Sequence, residues 1–317
     1  MTPFPGFDVT DWLVTDVEPV GDDIKYWLRG AAGEPDEASW LFKQATVKEI
    51  AVARSAGGGY RLYRQGEDWA EKVCSELASL IALPAARVEL AERDGVPGLI
   101  SRDTKPRGWS LNGGGVLLSA VDPRYKPKSD SDARANRVGH NLDNIERVLL
   151  GADAPPWWPI RGFSAFDLFA GFLLFDAWVA NRDRHEFNWA VLQEPEGGLF
   201  LSPSFDHGAA LASGLEDERR EAVLARATVS DWCAKGTAHR FEDCGRRSLL
   251  DVATDALLRA TPTAREFWID SIVSVEQHQW EDVLNRVPSL SAVTSTFTAE
   301  LLRVNQERIR DEFKRRA

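Results

Sequence analysis

Apolar and polar positions change period along the chain, and the changes divide it into elements. Val9 to Val20 alternates loosely, and Gly21-Asp22-Asp23 then makes a turn. Ile24–Leu28 and Ser39–Ala45 read as two strands joined by the polar loop Arg29 to Ala38. Val47 to Gly59 carries neither period clearly and ends in Gly57-Gly58-Gly59, a flexible connector without the Lys-Ser/Thr and strand-to-helix setting of a phosphate loop. From Glu67 to Ile81 the period becomes helical. Ala70, Val73, Cys74, Leu77, Leu80 and Ile81 form one stripe, and Pro84 follows. Ala86 to Ser101 predicts a hairpin about Asp94-Gly95.

Beyond Ser101 the pattern turns helical. Arg102 to Pro159 is the least orderly region, with a helix over Val138–Leu150. Ser164-Ala165-Phe166-Asp167 is a capping box, and the helix it opens runs toward Val179, apolar on nearly every side and therefore buried. Two short strands follow, Trp189–Gln193 and Leu199–Ser202, about the loop Glu194–Gly198. The charged segment near Ser213–Val223 starts another helix. Further helices are predicted around Arg246–Arg259, Ala264–Leu284 and Val293–Phe313. Strands first and helices afterwards describe an α+β fold.

The second hairpin gathers chemistry. Folded about Glu196, it sets Asn188 opposite Ser204, brings Asp206 beside Asn188, and leaves Asp183 at the same end. The Asn188 amide oxygen and the Asp206 carboxylate are hard ligands of the kind that hold Mg²⁺ together with phosphates. Asp183 is then free to orient a hydroxyl and accept its proton. Asp183 and Asn188 stand at the D-x-x-x-x-N spacing of phosphoryl transfer in protein kinases, and Asp206-His207-Gly208 takes the place of the D-F-G element. His185 braces the turn through hydrogen bonds. Asp183, His185, Asp206 and His207 also permit a different reading, a zinc or iron site of a hydrolase.

Asn181-Arg182-Asp183-Arg184-His185-Glu186-Phe187-Asn188, an apolar strand, and Pro203-Ser204-Phe205-Asp206 together resemble the HipA-type kinases. These are bacterial serine/threonine kinases of kinase-like fold, related in their catalytic loop to phosphoinositide kinases. The resemblance implies a two-lobed protein-kinase-like fold, with a small β-rich lobe with one helix over residues 1–105. A larger, mostly helical lobe over 106–317 would carry the catalytic loop and metal site. It implies ATP and Mg²⁺ as cofactors, a protein serine or threonine as acceptor, and an antitoxin-like regulator as a possible partner. Asp183 is then the base, Asn188 and Asp206 the metal ligands, and Lys43 the strand lysine at the phosphates. Glu71 would hold that lysine, with Glu76 as the alternative. The family's glycine loop falls at Gly21 to Lys25, where this chain has one glycine followed by two acids. The adenine hinge falls around Arg102–Trp109, and Ala209–Leu224 would be the activation segment. Two related readings stay open: a nucleotide-binding regulator that has lost transfer, and a lipid kinase, which shares D-R-H-x-x-N.

Composition narrows the partners. The net charge of −11 argues against direct nucleic-acid or anionic-membrane binding, because affinity there comes from basic surface. Cys74, Cys233 and Cys244 lie far apart without a CxxC pair and fit a reducing cytoplasm. The N-terminus lacks the basic and apolar regions of a signal peptide. The most apolar stretch, Phe163 to Ala180, is broken by Asp167 and Asp176.

Overall fold

The computed structural model describes residues 2–18, 25–30, 39–51, 58–126, 137–243, 245–288 and 290–316. Its first part is built of β1 (Gly6–Asp8), β2 (Leu13–Glu18), β3 (Lys25–Arg29), β4 (Ser39–Gln44), β5 (Val47–Ala51), β6 (Tyr60–Arg64), α1 (Glu67–Leu80), β7 (Val88–Arg93) and β8 (Val96–Arg102). Six of these strands form a sheet in the order β1-β7-β8-β4-β3-β2. All neighbours are antiparallel except β1 and β7. The β7–β8 turn needs two left-handed residues, and Asp94 (φ 51°) and Gly95 (φ 74°) supply them. Alternation along β4 buries Trp40 and Phe42 with Val9, Leu28, Ala91 and Ile100, which leaves Leu41 and Lys43 on the opposite face.

The first part of the ambiguous Val47–Gly59 stretch, Val47–Ala51, is a strand: β5 and β6 pair antiparallel as a separate hairpin. Val47, Tyr60 and Leu62 are exposed, so these three form no buried apolar stripe to read from the sequence. The hairpin is instead tied down by the Tyr63 hydroxyl, which donates to the Leu215 carbonyl at 2.7 Å, and by Arg61 on Glu216.

The remainder holds β9 (Ser110–Gly113), α2 (Gly114–Val121), α3 (Leu142–Leu149), α4 (Ala165–Trp178), β10 (Ala190–Gln193), β11 (Leu199–Leu201), α5 (Asp217–Ala225), α6 (Val229–Ala234), α7 (Leu249–Arg259), α8 (Pro262–Val273), α9 (Gln277–Asn285) and α10 (Ala292–Lys314). Every residue of α4 is buried, and α3, α7, α8 and α10 surround it. The capping box is formed on both sides, Ser164 accepting from the Asp167 amide and Asp167 from the Ser164 amide. Gly171 is where α8 comes closest: a Cβ there would lie 2.3 Å from the Trp268 ring.

Two stretches differ from the sequence reading. The helix expected over Ala264–Leu284 is two helices, because Glu276 and Gln279 form a new capping box and start α9. The disorderly region after Arg102 contains β9, which pairs with β10 and could not be seen locally. The apolar stripe of α1 packs into the same core as α4, so this helix joins the sheet to the helical body.

Candidate active site

Lys43 stands on the sheet face opposite the Trp40 cluster and reaches toward α1. Its Nζ donates to Glu71 Oε1 at 2.8 Å and to Asp206 Oδ1 at 2.9 Å. Glu76, the alternative partner, is instead bonded to Lys72, whose ammonium also meets Glu89 at 2.8 Å. Asp206 adopts a left-handed backbone (φ 61°), a conformation that costs free energy for a residue with a Cβ and is often concentrated at functional sites. The segment carrying it is fixed two residues earlier. Ser204 N donates to the Pro84 carbonyl and the Ala86 amide donates back to Ser204 O, both at 2.8 Å.

The turn that carries Asp183 and Asn188 leaves the C-terminal end of α4 and is held by a buried ion pair. Arg184 grips Asp176, one turn from the end of α4, through Nε and Nη2 at 2.8 Å each. The same guanidinium donates to the Asn188 carbonyl at 2.7 Å, to Ser204 Oγ at 3.0 Å and to His207 Nε2 at 3.2 Å. One cation therefore fixes α4, the catalytic turn and the Asp206 segment to one another. Asn181 adds a bond from Nδ2 to Asp176 Oδ1 (2.8 Å) and accepts from the Asp183 amide (3.1 Å). The register Val191↔Leu201, continued outward, sets Asn188 opposite Ser204.

Asp183 and Asn188 are brought together: Asn188 Nδ2 donates to the Asp183 carbonyl at 2.9 Å. Asp183 Oδ1 accepts from Arg240 Nε at 2.5 Å, and its Oδ2 lies 3.7 Å from His185 Nε2. His185 Nδ1 accepts from the Phe187 amide at 3.2 Å, so the ring hydrogen of the neutral tautomer sits on Nε2, facing Asp183.

Electrostatics follow from enclosure. Burial alone would lower the Lys43 ammonium, but Asp206 and Glu71 outweigh it and raise it, so Lys43 stays charged. Burial would likewise raise the Asp206 carboxyl, yet the Lys43 charge and hydrogen bond hold it well below the usual range, with smaller contributions from Lys25 and His185. Glu71 is pushed up by burial, only partly offset by Lys43. Lys25 sits directly across from Lys43 in the β3–β4 register and lies 3.6 Å from Glu18. Like charges opposite one another normally destabilise a strand pair. Here acids face them: Glu18 beside Lys25, and Glu71 and Asp206 beside Lys43. Gly21, the other residue expected at the phosphates, lies outside the described residues.

The donor set fits a magnesium ion. The Asn188 side-chain oxygen accepts no hydrogen bond among the described residues, and Asp206 uses only Oδ1 on Lys43 while its side chain is 37% exposed. Both are hard oxygens. The zinc or iron reading finds no support: among the described residues no group of three or more His, Cys, Asp or Glu side chains could hold a metal ion. His207 is instead committed to the scaffold. Its Nε2 bonds Ser204 Oγ at 2.8 Å, its ring packs edge-on against Phe175, and burial pushes its pKa down.

Two components escaped the sequence reading. Asp176 interrupts an apolar helix, and that misplaced charge was the available signal of a buried partner. Arg240 has no such signal, since it meets Asp183 across 57 residues of chain.

No protein-family model matches the chain, and no curated protein matches it. Solved structures do. The Helicobacter pylori proinflammatory kinase CtkA aligns over 97% of this chain and 96% of its own, at 15% identity and a TM-score of 0.66. HipA of Shewanella oneidensis MR-1, in a complex with HipB and operator DNA, aligns over 98% of this chain and 67% of its own, at 13% identity and a TM-score of 0.52. The likeness spans sheet, hairpin and helical body alike, and the fold of this chain is that of the HipA-type kinases.

Proposed function

We propose that the chain is a Mg-ATP-dependent kinase that transfers the γ-phosphate to a serine or threonine hydroxyl of a protein. The observation that carries this reading is Lys43 clamped between Glu71 and Asp206, with Asp183 and Asn188 joined at the base of the same site. A strand lysine, a helix glutamate, a metal-binding aspartate and a D-x-x-x-x-N turn are the parts phosphoryl transfer uses.

Asp183 orients the acceptor hydroxyl and takes its proton through Oδ2, the oxygen not engaged by Arg240. Asn188 and Asp206 hold the metal, and Lys43, pinned by Glu71, contacts the phosphates with Lys25 beside it. Held by Asn188 and Asp206, Mg²⁺ would supply charge neutralisation at the phosphates. His185 braces the turn behind Asp183. On this reading residues 1–105 form the nucleotide-covering lobe and 106–317 the lobe that carries the base and metal ligands. A protein partner that restrains the enzyme, in the manner of an antitoxin, is suggested by the HipA structure, which contains HipB. A cytoplasmic setting agrees with Cys74 and Cys233, buried as free thiols. No helix among the described residues is long and apolar enough to cross a membrane.

The test has two arms. Asp183→Ala should lower transfer from labelled ATP by roughly a hundredfold to ten-thousandfold while Mg-ATP still raises the melting temperature. Asp206→Asn should abolish the Mg-dependent part of that rise with the fold intact. Unchanged transfer in the first variant, or an unchanged Mg-dependent rise in the second, would remove the assigned roles.

A further inference from the structure

Asp183 is held from outside the catalytic turn, and the residue that holds it is itself held in a buried chain of contacts. Arg240 belongs to the segment between α6 and α7. Its side chain is almost fully enclosed, Nε meets Asp183 Oδ1 at 2.5 Å, and Nη1 has no hydrogen-bond partner among the described residues. A buried guanidinium with Nη1 left unbonded is poorly compensated for stability alone. Its backbone is fixed with care: the Arg240 carbonyl accepts from His140 Nδ1 at 2.7 Å, and His140 Nε2 accepts from Trp189 Nε1 at 3.2 Å. Trp189 directly follows Asn188. Flanking bonds lock the same segment, Glu242 N to His140 O at 2.8 Å and Ala238 N to Arg247 O at 3.0 Å.

We propose that Arg240 is a positioning residue for phosphoryl transfer: it fixes the Asp183 carboxylate by occupying Oδ1, so that Oδ2 alone faces the acceptor hydroxyl. The proposal rests on the kinase reading above. A carboxylate free to rotate presents either oxygen in many orientations, and transfer depends on placement within fractions of an ångström. The Asp183–Arg240–His140–Trp189 relay ties the base to the strand beside the metal ligand Asn188. It therefore holds the Asp183 carboxylate in register with Asn188, five residues along the same turn, by contacts that come from outside that turn. Arg240 acts through Asp183 and need not touch nucleotide.

The measurement is Mg-ATP turnover by the full chain, followed as ADP release, in Arg240→Met, Arg240→Lys, Asp183→Asn and the double variant Asp183→Asn/Arg240→Met. Arg240→Met should lower kcat by roughly tenfold to a hundredfold with KM for ATP and the melting temperature little changed. Arg240→Lys should recover part of the loss. Because both residues act as one unit, the double variant should be no slower than Asp183→Asn alone. Full kcat in Arg240→Met, or losses that multiply in the double variant, would overturn the assignment. So would a fall in melting temperature and ATP binding that accounts for the lost turnover, since Arg240 would then be a structural residue only. A folded wild-type chain that turns over no Mg-ATP would instead overturn the kinase reading and this one with it.

Discussion

Glu71 and Glu76 flank the apolar stripe of α1, Glu71 favoured and Glu76 its alternative, and their contacts separate them. Glu71 lies under the Lys43 strand and gives its carboxylate to the lysine, whereas Glu76 is turned to Lys72 and the edge of β7. The distinction is chemical as well as geometric. Glu71 is buried beside one cation, and that cation is shared with Asp206, so the three groups form a single charge system. Replacing Glu71 by glutamine removes a charge-assisted hydrogen bond worth about 1.5–3 kcal/mol. If that bond is what aims Lys43, Glu71→Gln should slow turnover by roughly tenfold to a hundredfold. Glu76→Gln should leave ADP release within about twofold, a change of under about 0.5 kcal/mol, because Lys72 keeps Glu89. Equal rates in the two variants would detach the lysine clamp from catalysis.

At the scale of elements, α4 is both the centre of the helical core and the mount for the turn that carries Asp183 and Asn188. An apolar helix buried on all sides has no reason to carry an acid near its end unless the acid is paired. Asp176 receives Arg184 bidentately and Asn181 beside it, and that cation then reaches the Asn188 carbonyl and Ser204. Asp176→Asn would leave the buried guanidinium without its counter-charge, which costs about 3–5 kcal/mol. A urea midpoint that falls accordingly, with an unchanged slope, is the expected result; an unshifted midpoint would mean Arg184 finds another anion. Elements of this kind were readable in advance where a local pattern fixed them. The α1 stripe, the Ser164 box, the Asp94-Gly95 turn and the β10–β11 register all follow from neighbours within a few residues. The β5–β6 hairpin was not, because its apolar positions Val47, Tyr60 and Leu62 are exposed. Nor was the break at Ser274–Glu276, where a capping box competes with a continuous apolar rhythm and wins.

For the molecule as a whole, the contacts that make the site a site span long loops of chain. Lys43 and Asp206 are 163 residues apart, Asp183 and Arg240 57, His140 and Trp189 49. Spacing within the D-x-x-x-x-N turn named the oxygen donors, but no local pattern points from Asp183 to Arg240 or from Trp189 to His140. The last of these pairs gives the fold a pH dependence. His140 is fully buried, donates from Nδ1 to the Arg240 carbonyl and accepts at Nε2 from Trp189, an arrangement open only to the neutral ring. Burial accordingly pushes its pKa down to about 4. A histidine lowered in the folded state favours the unfolded chain once protons are available. Its contribution is complete above its ordinary value of about 6.5 and is lost as the pH falls toward about 4, at about 1.4 kcal/mol per pH unit. His140→Gln cannot titrate. The stability gap between wild type and this variant, measured by urea unfolding from pH 7 to pH 4.5, should therefore narrow steadily as acid is added. Over the full window the narrowing amounts to about 3 kcal/mol. A gap that stays constant would mean that His140 binds protons as readily in the folded chain as in the unfolded one, and the neutral link to Trp189 would lose its support.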